Sequence, residues 1–149
     1  MSRVPRAALP DGYLHAFARA VAASGRLFRD DDDCRMFLDL FWRTAQRSGW
    51  ACHAICLMGS HYHVVLATTR PSLSTGLGRI NWLYARYHNV RYGLFGHVFA
   101  NRFSARSIED EQYLFEACSY VVLNPVRAGL CADAADWPWS YSSFGLDTS

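Results

Sequence analysis

The stretch from Trp50 to Thr68 constrains this fold more than any other. Trp50-Ala51-Cys52-His53-Ala54-Ile55-Cys56-Leu57-Met58 is strongly apolar, Gly59-Ser60 is a turn pair, and His61-Tyr62-His63-Val64-Val65-Leu66-Ala67-Thr68 is a second apolar run. Two such runs across a short turn read as a β-hairpin. Both arms are apolar on both faces, so they are expected to be central strands covered on each side. Successive strand side chains point to opposite faces, which puts His61 and His63 on one face of the sheet. Two imidazoles side by side are two metal ligands already placed. An isolated His-x-His is nevertheless more often a pair of ordinary, partly buried histidines.

The remaining elements follow from periodicity. Tyr13–Arg19 reads as a first strand, with Tyr13, His15, Phe17 and Arg19 on one side. Asp30 to Asp33 are helix-start acids, stabilised by the positive end of the helix dipole, and read as structural rather than as a metal site. The helix they open runs to about Ser48, with Met36, Phe37, Leu40, Phe41 and Ala45 on its apolar face, and Gly49 closes it. Pro71 and Ser72 start a second helix. It has Leu73, Leu77, Ile80, Tyr84 and Tyr87 in register, and Arg79, Asn81, Arg86 and Asn89 on its other positions. Gly93 and Gly96 flank a turn, and His97–Ser104 resembles a fourth strand. Glu109-Asp110-Glu111 opens a third helix to about Asn124, where Pro125 limits it.

The order β-α-β-β-α-β-α is an α+β, ferredoxin-like (RRM-like) split βαβ arrangement with one added helix packed on the sheet. At 149 residues a single domain is expected. Residues 1–12 are read as its flexible lead-in, where Arg3 and Arg6 are either a basic arm reaching a groove or part of a disordered terminus, and 131–149 as an irregular closing tail packed by aromatics.

Charge narrows the function. Every basic residue is an arginine, and between Asp39 and Glu109 there are eight of them and no carboxylate. Arginine suits bidentate phosphate contact and stacking on bases. That block reads as a polyanion-binding face, most simply for nucleic acid. Arg79, Arg86, Arg91, Arg102 and Arg106 within it, with Arg127 beyond it, are the candidate nucleic-acid-binding residues. No apolar h-region opens the chain and no run approaches the ~20 residues of a membrane span. A cytoplasmic protein without a membrane partner is expected. The five cysteines are odd in number and form no recognisable disulfide or Cys-x-x-Cys pattern.

The third helix supplies what the histidine pair lacks. Tyr120 and Asn124 are four residues apart and share a helical face, beside an apolar stripe of Leu114, Cys118 and Val121 that can dock on the sheet. If docking sets Tyr120 over the His61/His63 face, a phenol nucleophile stands beside a metal, with the Asn124 amide oxygen as a third ligand. A phenol is a poor nucleophile until a base or metal helps it. The metal's larger task is to polarise a phosphoryl oxygen. Taken alone, Tyr120 is one of eight tyrosines.

His61-Tyr62-His63, followed by Tyr120-Val121-Val122-Leu123-Asn124-Pro125-Val126-Arg127-Ala128-Gly129, resembles the HUH single-tyrosine transposases, and most closely their REP-associated branch. Supporting matches run from the first strand through Leu57-Met58, Tyr62, Gly96 and Arg102-Phe103 to Trp139-Ser140, over roughly residues 10–143. The resemblance implies a metal-dependent single-stranded DNA endonuclease and strand transferase acting at or beside a hairpin. Carried over, His61 and His63 bind a divalent metal, Mg²⁺ or Mn²⁺, with Mn²⁺ the better match to two imidazoles. Tyr120 attacks the scissile phosphate to give a 5′-phosphotyrosine link and a free 3′-OH, and Asn124 takes the place of a polar third ligand. A second 3′-OH can reverse the step and join strands without ATP. The REP-associated branch implies a monomer rather than a homodimer. The chain departs from its relatives in two places: Ser60 stands where an Asn precedes the first histidine, and Ala100-Asn101 where a Trp-Gln pair precedes Arg102-Phe103.

Two other readings compete. A non-catalytic, domesticated hairpin-binding protein would use the sheet and its arginines alone, and would be indifferent to chelator. A structural metal protein without a polymer partner leaves the acid-free arginine block unexplained.

Overall fold

The computed structural model describes residues 12–21 and 25–146; the expected basic arm at Arg3 and Arg6 lies outside them. The hairpin forms as β2 (Ala51–Leu57) and β3 (His61–Ala67), closed by a 2.8 Å hydrogen bond from Met58 N–H to the His61 carbonyl. β1 (Tyr13–Arg19) pairs antiparallel with the other edge of β3, so β3 is the middle strand. Adding β4 (Ser104–Ile108) beside β1 and β5 (Ser140–Ser142) beside β2 gives an antiparallel sheet in the order β4-β1-β3-β2-β5. The first four strands have the split βαβ order, as the element pattern predicts.

Alternation along β3 sorts the two layers. Tyr62, Val64 and Leu66 join Leu14, Ala16, Ala18, Ile55 and Leu57 beneath α1 (Asp31–Ser48) and α2 (Arg70–Tyr92). Phe37 of α1 meets Tyr62 at a ring separation of 4.7 Å, and full burial of such a side chain contributes about 1.5–3 kcal/mol. α2 approaches closely because position 76 is glycine: a Cβ there would run into the indole of Trp50. On the opposite face Val65, Ala54, Cys56 and Met58 receive Leu114, Cys118, Val121 and Val122 of α3 (Glu111–Val122). The stripe read on the third helix is the one that docks.

The acidic run is structural, as expected. Asp30 caps α1 by accepting from Asp33 N–H at 3.1 Å, and Gly49 closes the helix in the left-handed region at φ 70°. Asp33 is fully buried and accepts from Tyr87 Oη, Tyr92 Oη and Arg91 Nη1, at 2.8, 2.6 and 2.6 Å. Burial alone would raise its carboxyl pKa, but these hydrogen bonds and the Arg29 N–H outweigh it and hold it below the ordinary range.

Two expectations need correction. The fourth strand is not His97–Ser104 but Ser104–Ile108; the earlier segment makes one bridge, Phe99 to Ala20. Its apolar look comes from Val98, Phe99 and Phe103 packing onto the main core without a ladder. The real strand is a polar-looking edge with exposed residues, where sequence alternation is weakest. The closing tail is also more regular than expected. Ser140–Ser142 forms β5, steered there by Trp137 Nε1 donating to the Leu57 carbonyl at 2.9 Å and Leu57 N–H donating to the Trp139 carbonyl at 2.9 Å.

Candidate active site

β3 presents His61 and His63 on the α3 side, with ring centroids 5.2 Å apart. Each is aimed by a neighbour. Ser60 Oγ lies 3.1 Å from His61 Nδ1, and the backbone carbonyl of Ser60 is held by Ala20 N–H at 2.8 Å. The serine that replaces the relatives' Asn therefore still engages His61. For His63 the neighbour is His15, whose Nε2 lies 3.0 Å from His63 Nδ1. Phe17 stacks on the His63 ring at 5.5 Å and 19°. With Nδ1 engaged on both His61 and His63, these partners fix the ring orientation and leave Nε2 as the nitrogen that would be open to a ligand.

α3 brings Tyr120 over His63 and His15. Its ring centroid is 6.0 Å from His63 and 6.3 Å from His15, and the residue is 50% exposed, open to a substrate. The helix does not continue regularly to Asn124: α3 stops at Val122, Leu123 caps it, and α4 (Asn124–Arg127) begins with Pro125 in its first turn. That break bends Arg127 back over Tyr120, its guanidinium carbon 4.2 Å from the ring centroid. Arg127 Nη2 donates to the Tyr120 carbonyl at 2.6 Å and to Asn124 Oδ1 at 3.0 Å. Asn124 Nδ2 is buried without a hydrogen-bond partner.

The electrostatics suit a metal. Burial first, then the neighbouring His15, His61, Arg127 and Arg19, lowers the His63 pKa to about 3. Burial and Arg106 lower that of His15 to about 4, and burial with Arg19 lowers that of His61. All three are neutral at pH 7, the form that ligates. Among the described residues no group of three or more His, Cys, Asp or Glu could hold a metal ion. His61 and His63, neutral and side by side, are a pair of imidazoles rather than such a group. The Asn124 oxygen, committed to Arg127, would have to exchange that partner to join them.

These residues line one cleft of about 1630 Å³, bounded by Arg19 and Arg106 on the strands and by Glu109 and Glu116 toward α3. His15 and Arg19 are site residues that spacing did not single out. Alternation placed both on one side of β1, but only the register, Phe17 opposite His63 and Arg19 opposite His61, shows which side that is. Of the candidate arginines, Arg106 lines the cleft and Arg127 touches Tyr120. Arg86 and Arg102 line a separate groove, and Arg79 is exposed on α2. Arg91 is not brought to either cavity. It pairs with Asp30 and Asp33, both at 2.6 Å, so its charge is spent within the fold.

No protein-family model matches the chain, and no curated protein matches it. Solved structures do. A REP-associated tyrosine transposase bound to a REP hairpin superposes with a TM-score of 0.72 at 17% identity, covering 94% of this chain and 82% of that one. A provisionally assigned transposase of Deinococcus radiodurans R1 gives 0.53 at 15% identity, covering 78% and 98%. The chain thus has the fold of a REP-associated tyrosine transposase.

Proposed function

We propose that this protein is a REP-associated-type tyrosine transposase, a metal-dependent endonuclease and strand transferase acting on single-stranded DNA at or beside a hairpin. The observation that carries the reading is the meeting of Tyr120 with a neutral His61/His63 pair in one open cleft. The fold of the hairpin-bound neighbour supports the choice of DNA. Tyr120 Oη attacks phosphorus and gives up its proton; the P–O3′ bond breaks, and the departing 3′ oxygen takes a proton. A 5′-phosphotyrosine link stores the bond, and attack by another 3′-OH reverses the step.

His61 and His63 would hold the divalent ion, Mg²⁺ or Mn²⁺, with the Asn124 oxygen joining as a third ligand only if it exchanged its Arg127 partner; the ion would supply Lewis-acid polarisation of a phosphoryl oxygen. His15 and Ser60 keep the two imidazoles oriented. Arg127 pins the Tyr120 ring and places positive charge where the phosphate binds. Arg106 guides the strand into the cleft. No described helix is long and apolar enough to cross a membrane.

The test is incubation with single-stranded hairpin DNA and Mn²⁺, followed by denaturing electrophoresis for a covalent protein–DNA adduct. One observation favours a second reading, a hairpin-binding protein that does not cleave: the site offers two imidazoles and an amide rather than a complete cluster of stronger ligands. That protein would bind DNA with steep salt dependence, form no adduct, and ignore both chelator and Tyr120→Phe.

A further inference from the structure

A second groove, of about 620 Å³, runs between α2 and the segment 96–103, with a wall from Val98, Phe99 and Phe103. Its α2 wall carries Asn81, Trp82, Ala85, Arg86 and Asn89, spaced three and four apart on the helical face turned away from the buried Ile80, Tyr84 and His88. Trp82 is 56% exposed, an expensive position for an indole unless something covers it in use. Arg86, one turn along, has its guanidinium 4.9 Å from the Trp82 ring centroid and braces the indole by a cation–π contact. Arg102 stands on the opposite wall, and no residue lining the groove is acidic. Asn89 Nδ2 donates to the Gly96 carbonyl at 3.0 Å and fixes the turn leading into that wall. Ala100 lines this groove and the active-site cleft alike, so the two meet there.

An exposed aromatic ring, apolar surface beside it, cations on both walls and no carboxylate are what an unpaired nucleotide needs: a stacking surface for the base and charge for its phosphates. A duplex would hide its base faces from Trp82, and an acidic peptide would leave the indole and the apolar wall unused. We propose that this groove binds the single strand continuing from the cleft, with one base stacked on Trp82 and the adjoining phosphates met by Arg86 and Arg102. The inference rests on reading the cleft as a DNA-cleaving site. Because stacking accepts any base, the groove adds affinity for unpaired DNA rather than sequence preference.

The experiment measures fluorescence anisotropy of a labelled oligothymidylate and of a blunt duplex with the full-length protein, in chelator so that nothing is cut. Trp82→Ala is expected to weaken oligothymidylate binding roughly 5- to 100-fold, Trp82→Phe to retain most of it, and neither to change duplex binding. Arg86→Ala should also weaken it and flatten its salt dependence. Unchanged oligothymidylate affinity in Trp82→Ala overturns the proposal, as does an equal loss on duplex. A DNA-free protein that changes from dimer to monomer on Trp82→Ala also overturns it, since the indole then belongs to a self-contact. Adduct formation is scored separately with Mn²⁺. Wild-type adduct with unchanged Trp82→Ala binding removes the groove and keeps the transposase, whereas binding loss without any wild-type adduct does the reverse.

Discussion

The two faces of the same sheet are built to opposite rules. Toward α1 and α2, β3 sends Tyr62, Val64 and Leu66 into a closed core where each is fully buried. Toward α3 it sends His61, His63 and Val65, and only Val65 is sealed. α3 covers the β2 side of this face, where Ala54, Cys56 and Met58 lie with Val65, and leaves His61 and His63 lining the open cleft. One seven-residue strand therefore supplies both fully buried core side chains and the two histidines of the cleft, separated only by alternation. The closed face gives the histidines a rigid base, and the open face gives them access.

This contrast is broken most severely from the closed side. Phe37→Ala, at a fully buried ring against Tyr62, should cost about 3–5 kcal/mol in denaturant unfolding. Gly76→Ala forces a methyl toward the Trp50 indole and should cost about 1–3 kcal/mol by the same assay. On the open side, His15→Ala removes the partner of His63 Nδ1. It should weaken Mn²⁺ binding about 10- to 100-fold by titration calorimetry while leaving far-ultraviolet circular dichroism unchanged.

A smaller effect separates the faces by pH. In the unfolded chain His15 and His63 take up protons near pH 6.5, but in the folded protein only near pH 4 and 3. Between those limits the unfolded state binds more protons, so stability contributed by these groups is complete above about pH 6.5 and lost as pH falls. Metal-free melting temperature should drop from pH 7 to pH 4, and less steeply in His15→Asn; parallel slopes would contradict the assignment.

How much was legible in the sequence follows the same division. β1 is read at its observed bounds because Tyr13–Arg19 alternates, and the docking stripe of α3 because Leu114, Cys118 and Val121 recur at helical spacing. The position of β4 is illegible because an edge strand reading Ser-Ala-Arg-Ser-Ile carries little apolar signal, while Val98 and Phe99, outside any named strand, carry much. His61, His63 and Tyr120 announce themselves by spacing and residue type. His15 could not, because its role depends on the pairing of two strands forty-eight residues apart. Arg91 looked like a phosphate contact for the same reason: its carboxylate partners, Asp30 and Asp33, lie far away in the chain and outside the acid-free block.

The most direct test of the account is the covalent adduct itself, measured for wild type and Tyr120→Phe on single-stranded hairpin DNA with Mn²⁺. Tyr120 is half exposed and its hydroxyl is absent from the core, so the variant should melt like wild type. The account predicts an adduct for wild type and none for Tyr120→Phe. An adduct of equal yield in both would show that another residue attacks the phosphate.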